Sequence, residues 1–298
     1  MKQKTYLLLF VLIAFSCKSS NNAHDASGVF EATEIIVSSQ ANGEIMFFDI
    51  DEGTNVFADS VVGMIDTVQL YLKKTQLQAA LSAVKSRTID VPSQIAAMNE
   101  QLKTLKKEQN RFETLVANKV ANRKQLDDIN ASVSALKKQI SALTEQLTNT
   151  NSSISGEAEG LIAQIAQVED LIRKSIIRSP VSGTVLGKYA ERGELAAAGK
   201  PLFKVANLSA MYIRAYLVGS QITDLKVGQK VKVYSDMGEN KSRINSGTVS
   251  WISDKAEFTP KTVQTRDERS NLVYPVKIAV RNDSGFIKQG MYGEVDFQ

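Results

Sequence analysis

The chain offers little with which to do covalent chemistry. Among 298 residues it has a single cysteine, Cys17, and a single histidine, His24. A nucleophilic triad usually needs a histidine as its base. His24 sits in the polar stretch "KSSNNAHDAS", where it reads as a solvated linker residue. A zinc or iron site needs clustered Cys and His, and the sequence has no such cluster. No Gly-rich loop followed by Lys is present to cradle a phosphate. Asp127 and Asp128 are adjacent, so on a helix they point apart and read as solvated. The seven methionines are scattered, with no pair at helical ligand spacing. With one cysteine, no intramolecular disulfide can form. These residues predict a protein that is not an enzyme and holds neither a cofactor nor a metal.

What remains is the thiol of Cys17. Lys2 and Lys4 precede the apolar run "YLLLFVLIAFS". A basic start and about ten apolar residues make a secretory signal over residues 1–16, too short for a comfortable membrane span. Cys17 follows where such a signal is cut. This resembles a bacterial lipoprotein signal, which implies a lipid anchor on Cys17. Ala14 and Phe15 depart from the commonest residues of that pattern. The alternative is an ordinary secretory signal with an incidental cysteine. Residues 17–28 then read as a flexible tether. Without residues 1–16 the chain keeps 34 basic residues against 32 acidic ones, which argues against a nucleic-acid footprint.

Two stretches share one pattern. "SSQANGEIMFFDIDEGTNVFADSVVGMID" runs from Ser38 to Asp66, and "RSPVSGTVLGKYAERGELAAAGKPLFKVA" from Arg178 to Ala206. At a constant offset Gly43 matches Gly183, Gly53 matches Gly193, Ile45 matches Val185, and Ile65 matches Val205. Short β-rich segments between Gly turns predict hairpins. Two four-stranded halves could close on each other as a flattened barrel. Two unrelated hairpins sharing turn chemistry are the alternative. We set the halves at residues 29–67 and 175–207.

The insertion between them, residues 68–174, has the opposite texture. Ile95, Met98, Leu102, Leu105, Gln109, Phe112 and Val116 recur in steps of three and four, as do Leu126, Ile129, Val133, Leu136, Ile140, Leu143 and Leu147. Such heptads specify a coiled-coil seam, and "ANKVANR" between them folds it back as an antiparallel hairpin. The β-branched run and Pro92 in "SRTIDVPSQ" should interrupt the first arm. "TNTNSSISGEAEG" should interrupt the second. The expected helices are therefore 68–87, 93–117, 123–148 and 157–174, giving an arm of roughly 70 Å at ~1.5 Å per residue. Residues 208–298 alternate in "MYIRAYLV", "QKVKVYS", "INSGTVSWIS" and "LVYPVKIAVRND", predicting a small antiparallel β-barrel. The fold class is thus multidomain α+β: a split β-domain, an inserted helical hairpin and a β-barrel.

That order resembles the periplasmic adaptors, the membrane-fusion proteins of the HlyD family, whose half-barrels look like biotinyl-lipoyl carrier halves. "IIRSPVSGTVLGKYAERGELAAAGKPLFKVANLSAMYIRAYL" resembles their second half-motif, and "FTPKTVQTRDERSNLVYPVKIAV" with "GMYGEV" resembles the subgroup that partners ABC-type exporters. The resemblance implies a link between an inner-membrane ABC transporter and a TolC-like outer-membrane duct, assembled as a ring, expected to be a hexamer. Arg111, Leu115 and Asn122 fall at the spacing by which such adaptors dock the duct, with Asn122 where Ser is usual. An adaptor of a proton-driven RND pump, or of a type I secretion system, is the runner-up within this architecture. A lipoyl or biotin carrier is disfavoured. Its swinging-arm Lys needs a tight hairpin between the halves, and here Asp66–Thr67 runs directly into a helix.

Overall fold

The computed structural model describes residues 24–238, 242–258 and 272–297. The signal segment 1–16, Cys17 and most of the "FTPKTVQTRDERSN" stretch lie outside them.

Among the described residues, thirteen strands and four helices follow in chain order. The first half supplies β1 (Ala26–Ser38), β2 (Gly43–Phe48), β3 (Asn55–Val56) and β4 (Val61–Ile65). The insertion supplies α1 (Val68–Lys85), α2 (Val91–Ala117) and α3 (Arg123–Lys174). The second half supplies β5 (Ile176–Arg178), β6 (Gly183–Lys188), β7 (Leu195–Ala196) and β8 (Pro201–Val218). The rest is α4 (Gly219–Ile222), β9 (Lys230–Asp236), β10 (Ser242–Ile252), β11 (Glu257–Phe258), β12 (Leu272–Arg281) and β13 (Tyr292–Asp296).

The duplicated halves form one domain, and the repeat extends to individual hydrogen bonds. Gly53 N donates to Val185 O at 2.9 Å, and its counterpart Gly193 N donates to Ile45 O at 2.8 Å. Both glycines have φ +88°, a left-handed value that costs glycine nothing. Asp59 N donates to Ser179 O, as Gly199 N donates to Ser39 O. The halves do not each form a sheet. One layer is β5-β4-β2-β7 and the facing layer is β1-β8-β6-β3, so each layer takes strands from both copies. Ile45, Ile65, Leu202, Phe203 and Val205 fill the space between, all inaccessible to water. Neither copy has a face it can bury alone.

β1 and β8 pair along their full lengths, with a register shift between Ala32 and Glu34. They carry the chain from this domain into a barrel. There β12, β10, β9, β13, β1 and β8 pair in sequence, and β12–β8 pairing closes the circle. Phe30, Ile213, Leu217, Val233, Val249 and Ile278 form its core. The barrel expected from residues 208–298 therefore takes one strand from before the hairpin. Without β1, strands β8 and β13 would present bare edges. The boundaries set at 28/29 and 207/208 fall inside β1 and β8, because backbone pairing continues across them.

The tether also ends earlier than expected. His24 is not a solvated linker residue: its Nδ1 lies 2.9 Å from Asp296 Oδ1 and its Nε2 3.1 Å from Glu294 Oε2. Its ring packs on Tyr234 with centroids 4.4 Å apart. Burial of Asp296 pushes its carboxyl up, but hydrogen bonds from His24 and Tyr234 outweigh this and hold it below the usual carboxylate range.

In the insertion, α1 and α2 pack antiparallel on α3. The break between α1 and α2 lies where Thr88, Ile89 and Pro92 predict it. The break expected within 149–156 does not occur. α3 is one helix of 52 residues, about 78 Å long. Asn, Ser and Gly are poor helix formers, yet two residues of this stretch, Asn151 and Glu157, find partners on the opposite arm. The side chain of Asn151 binds the backbone of Ile89 in the opposite break, and Glu157 pairs with Arg87. Gly156 and Gly160 face open space.

Candidate functional site

The hairpin tip is the candidate site, and its shape follows from how two helix ends are closed. α2 ends in a Schellman motif: Val120 N donates to Leu115 O at 2.9 Å, and Lys119 N to Val116 O at 3.0 Å. Lys119 takes φ +59°, in the position where Gly is usual. α3 then begins at an N-cap, Asn122, whose Oδ1 accepts from Lys124 N at 2.9 Å. Ser and Asn are comparably good N-caps, so Asn122 can do locally what Ser would do. The two caps satisfy backbone groups that would otherwise fray, and they fix a turn of four residues, Asn118 to Ala121.

The three residues singled out from the sequence are placed unequally. Leu115 is half-buried on the seam beside the tip, and its carbonyl closes the cap. Arg111 lies one turn below it on the same helix, exposed and without an ion pair among the described residues. Asn122 is exposed, with its side chain engaged in the cap. Leu115 and Asn122 are thus brought together at the turn, and Arg111 flanks them.

Two tip residues escaped the sequence reading. Val120 is 73% exposed, the apex of the turn. Lys119 is exposed, at the left-handed position of the turn. Between Arg111 and Leu126 the bases Arg111, Lys119, Arg123 and Lys124 face a single acid, Glu113. A small apolar apex inside a basic collar suits a protein surface rather than a small-molecule pocket. The signal was available, because a lone Val between Asn-Lys and Ala-Asn has no helical neighbour to cover it.

The arm that carries the tip is held in register by polar pairs. Gln109 Nε2 donates to Asn130 Oδ1 at 2.7 Å across the seam. α2 buries none of its side chains fully, while α3 buries Val133, Leu136, Ala158 and Val168. A two-helix seam leaves one flank of every apolar residue open, so polar bridges matter more than in a bundle. Among the described residues no group of three His, Cys, Asp or Glu is arranged to hold a metal. Among them also, no helix is long and apolar enough to cross a membrane.

No family model matches the chain. It is similar to a "UPF0194 membrane protein" of Yersinia pseudotuberculosis, 24% identical over 97% of this chain and 95% of that one. Among solved structures it resembles MacA from Actinobacillus actinomycetemcomitans, with TM-score 0.54 and 21% identity over 91% of this chain and 76% of MacA. It also resembles the membrane fusion protein Spr0693 from Streptococcus pneumoniae R6, with TM-score 0.52 and 18% identity over 91% and 97% of the two chains. The chain has the fold of the membrane fusion proteins, a split lipoyl-like domain interrupted by an α-helical hairpin and joined to a β-barrel.

Proposed function

We propose that the chain is a periplasmic adaptor that links an inner-membrane ABC-type exporter to a TolC-like outer-membrane duct, for efflux of small molecules across the envelope. The observation that carries this reading is the hairpin. It continues roughly 78 Å from its base and ends in a turn capped on both sides. A buried core gains nothing from such an arm, and an ordered tip makes sense if a partner receives it. Lipidation of Cys17 holds the barrel end at a membrane. Copies of the chain pack side by side as a ring, a hexamer, through polar helix faces and lipoyl-like flanks, and the substrate passes through its lumen. Arg111, Leu115 and Asn122 meet the duct, with Val120 at the apex. The ABC side is favoured over an RND pump by the sequence resemblance of "GMYGEV" and the strand before it.

Deletion of residues 93–148 tests the reading. The hydrogen bonds between Ile89 and Asn151 already bring the cut ends together, so a short linker can rejoin them. The shortened protein is expected to fold, to stay at the membrane and to lose export. Normal export by this deletion would overturn duct docking.

A further inference from the structure

We infer that the cavity between the base of the arm and the lipoyl-like domain binds a small organic anion with an apolar body. The inference is independent of duct docking.

The cavity follows from the duplication. Val37, Ser38 and Ser39 of the first copy stand where Ile177, Arg178 and Ser179 stand in the second, at the offset that relates Gly53 to Gly193. These two stretches are edges of the facing layers. β5 pairs with β4 alone, and β1 from Glu34 onward pairs with β8 alone. No strand joins the two edges, so this side of the flattened barrel is unsealed. α3 ends at Lys174, and Ser175 leads directly into β5, so the last turn of the arm stands beside the gap. The result is a cavity of about 330 Å³ lined by α3, β5 and the end of β1. Small-molecule sites begin at ~300 Å³.

Its chemistry is divided. Val37 and Ile176 are half-buried, with Ile177 and Leu202 of the core behind them, and they give it an apolar floor. Arg173, Lys174 and Arg178 set three cations against one acid, Asp170. That acid is already engaged. Its Oδ1 accepts from Arg173 at 2.6 Å, and its Oδ2 pairs with Lys174 at 2.7 Å. Lys174 and then Arg173 hold its carboxyl below the usual carboxylate range. Arg178 has no ion pair among the described residues; its guanidinium donates to Asp59 O at 2.7 Å. Ser38 and Gln40 also line the cavity, and among the described residues their side chains make no hydrogen bond.

The negative end of α3 is blunted, because Ser175 donates to Leu171 O from both N and Oγ. An apolar floor beside an unpaired guanidinium and free polar side chains selects a hydrocarbon body carrying a carboxylate, sulfonate or phosphate. Such a ligand touches the arm and both copies at once. The arm otherwise meets the domain through Thr67 and Ser175, so the ligand ties it to its base.

The test is calorimetric titration of the full mature chain with decanoate and with decanol. Cys17→Ser is included so that no acyl group competes. The two probes share a hydrocarbon body and differ in charge. Expected are one saturable site for decanoate, at least tenfold weaker binding of decanol, and a melting temperature raised by decanoate. Arg178→Gln should weaken decanoate about tenfold and leave decanol unchanged. Asp170→Asn should tighten decanoate, because it removes the acid and frees Arg173 and Lys174. Ser38→Phe, which fills the cavity, should abolish binding of both probes with circular dichroism unchanged. Absence of saturable binding overturns the inference, as does equal affinity for the two probes or binding indifferent to these substitutions. Should Ser38→Phe misfold, the opposite signs expected of Arg178→Gln and Asp170→Asn still decide.

Discussion

The side chain of Asn151 holds both backbone polar groups of Ile89. Ile89 N donates to Asn151 Oδ1 at 2.9 Å, and Asn151 Nδ2 donates to Ile89 O at 2.8 Å. One amide thus repairs the break between α1 and α2 from the opposite helix, at a site that is only part-buried. It is the joint of the hairpin.

Asn151→Ala should destabilise this joint by roughly 2 kcal/mol, because two backbone groups lose their partner where water reaches them poorly. Asn151→Asp keeps the acceptor and loses the donor, so it should fall between. Hydrogen exchange of the Ile89 amide measures both, and protection equal to that of the wild type in Asn151→Ala would refute the clamp.

Gly156→Ala and Gly160→Ala should each stabilise α3 by about 1 kcal/mol. Both glycines are exposed within a continuous helix, and an added Cβ meets nothing within 4 Å. Urea denaturation reads the gain. A loss of stability would indicate the interruption that the sequence suggested there.

If the tip docks the proposed outer-membrane duct, Leu115→Asp should reduce crosslinking to it by tenfold or more, and Val120→Asp should do the same without altering the melting temperature. Val120 packs on little, so its loss cannot unfold the arm. Asn122→Ser should be silent, because either side chain caps α3. Undiminished crosslinking by both acidic variants would leave Leu115 as a seam residue alone.

The His24 clamp predicts a pH dependence. Asp296 titrates below its ordinary value in the folded protein, so the stability it contributes is present above the ordinary carboxylate range and is lost as pH falls through its lowered pKa. Removing the hydrogen bond with His24→Ala should cost about 1 kcal/mol at neutral pH and shrink that acid-side loss. Melting curves recorded from neutral pH down to about pH 3 check the sign. An unchanged profile in His24→Ala would show that the contact contributes nothing.

Much of this protein was legible in the sequence. The constant offset between Gly53 and Gly193 predicted one duplicated domain, and the heptads from Ile95 and Leu126 predicted the hairpin and its turn. These patterns are local: a left-handed turn demands glycine, and a seam demands an apolar residue every three or four positions.

Other features exist only in three dimensions. Nothing in "TNTNSSISGEAEG" announces that Asn151 has a backbone to serve 62 residues away, so its poor helix propensity reads as a break. Nothing near Ala26 announces that the strand closes a barrel with Tyr292 and Ala215 as neighbours. His24 looks like linker until Asp296 and Tyr234, more than 200 residues later, are folded against it. Short-range preferences act within a turn or a strand. Partners distant in the chain become neighbours only when the sheet edges close, and that closure determined where the tether ends, which end of the barrel its chain leaves, and why α3 is unbroken.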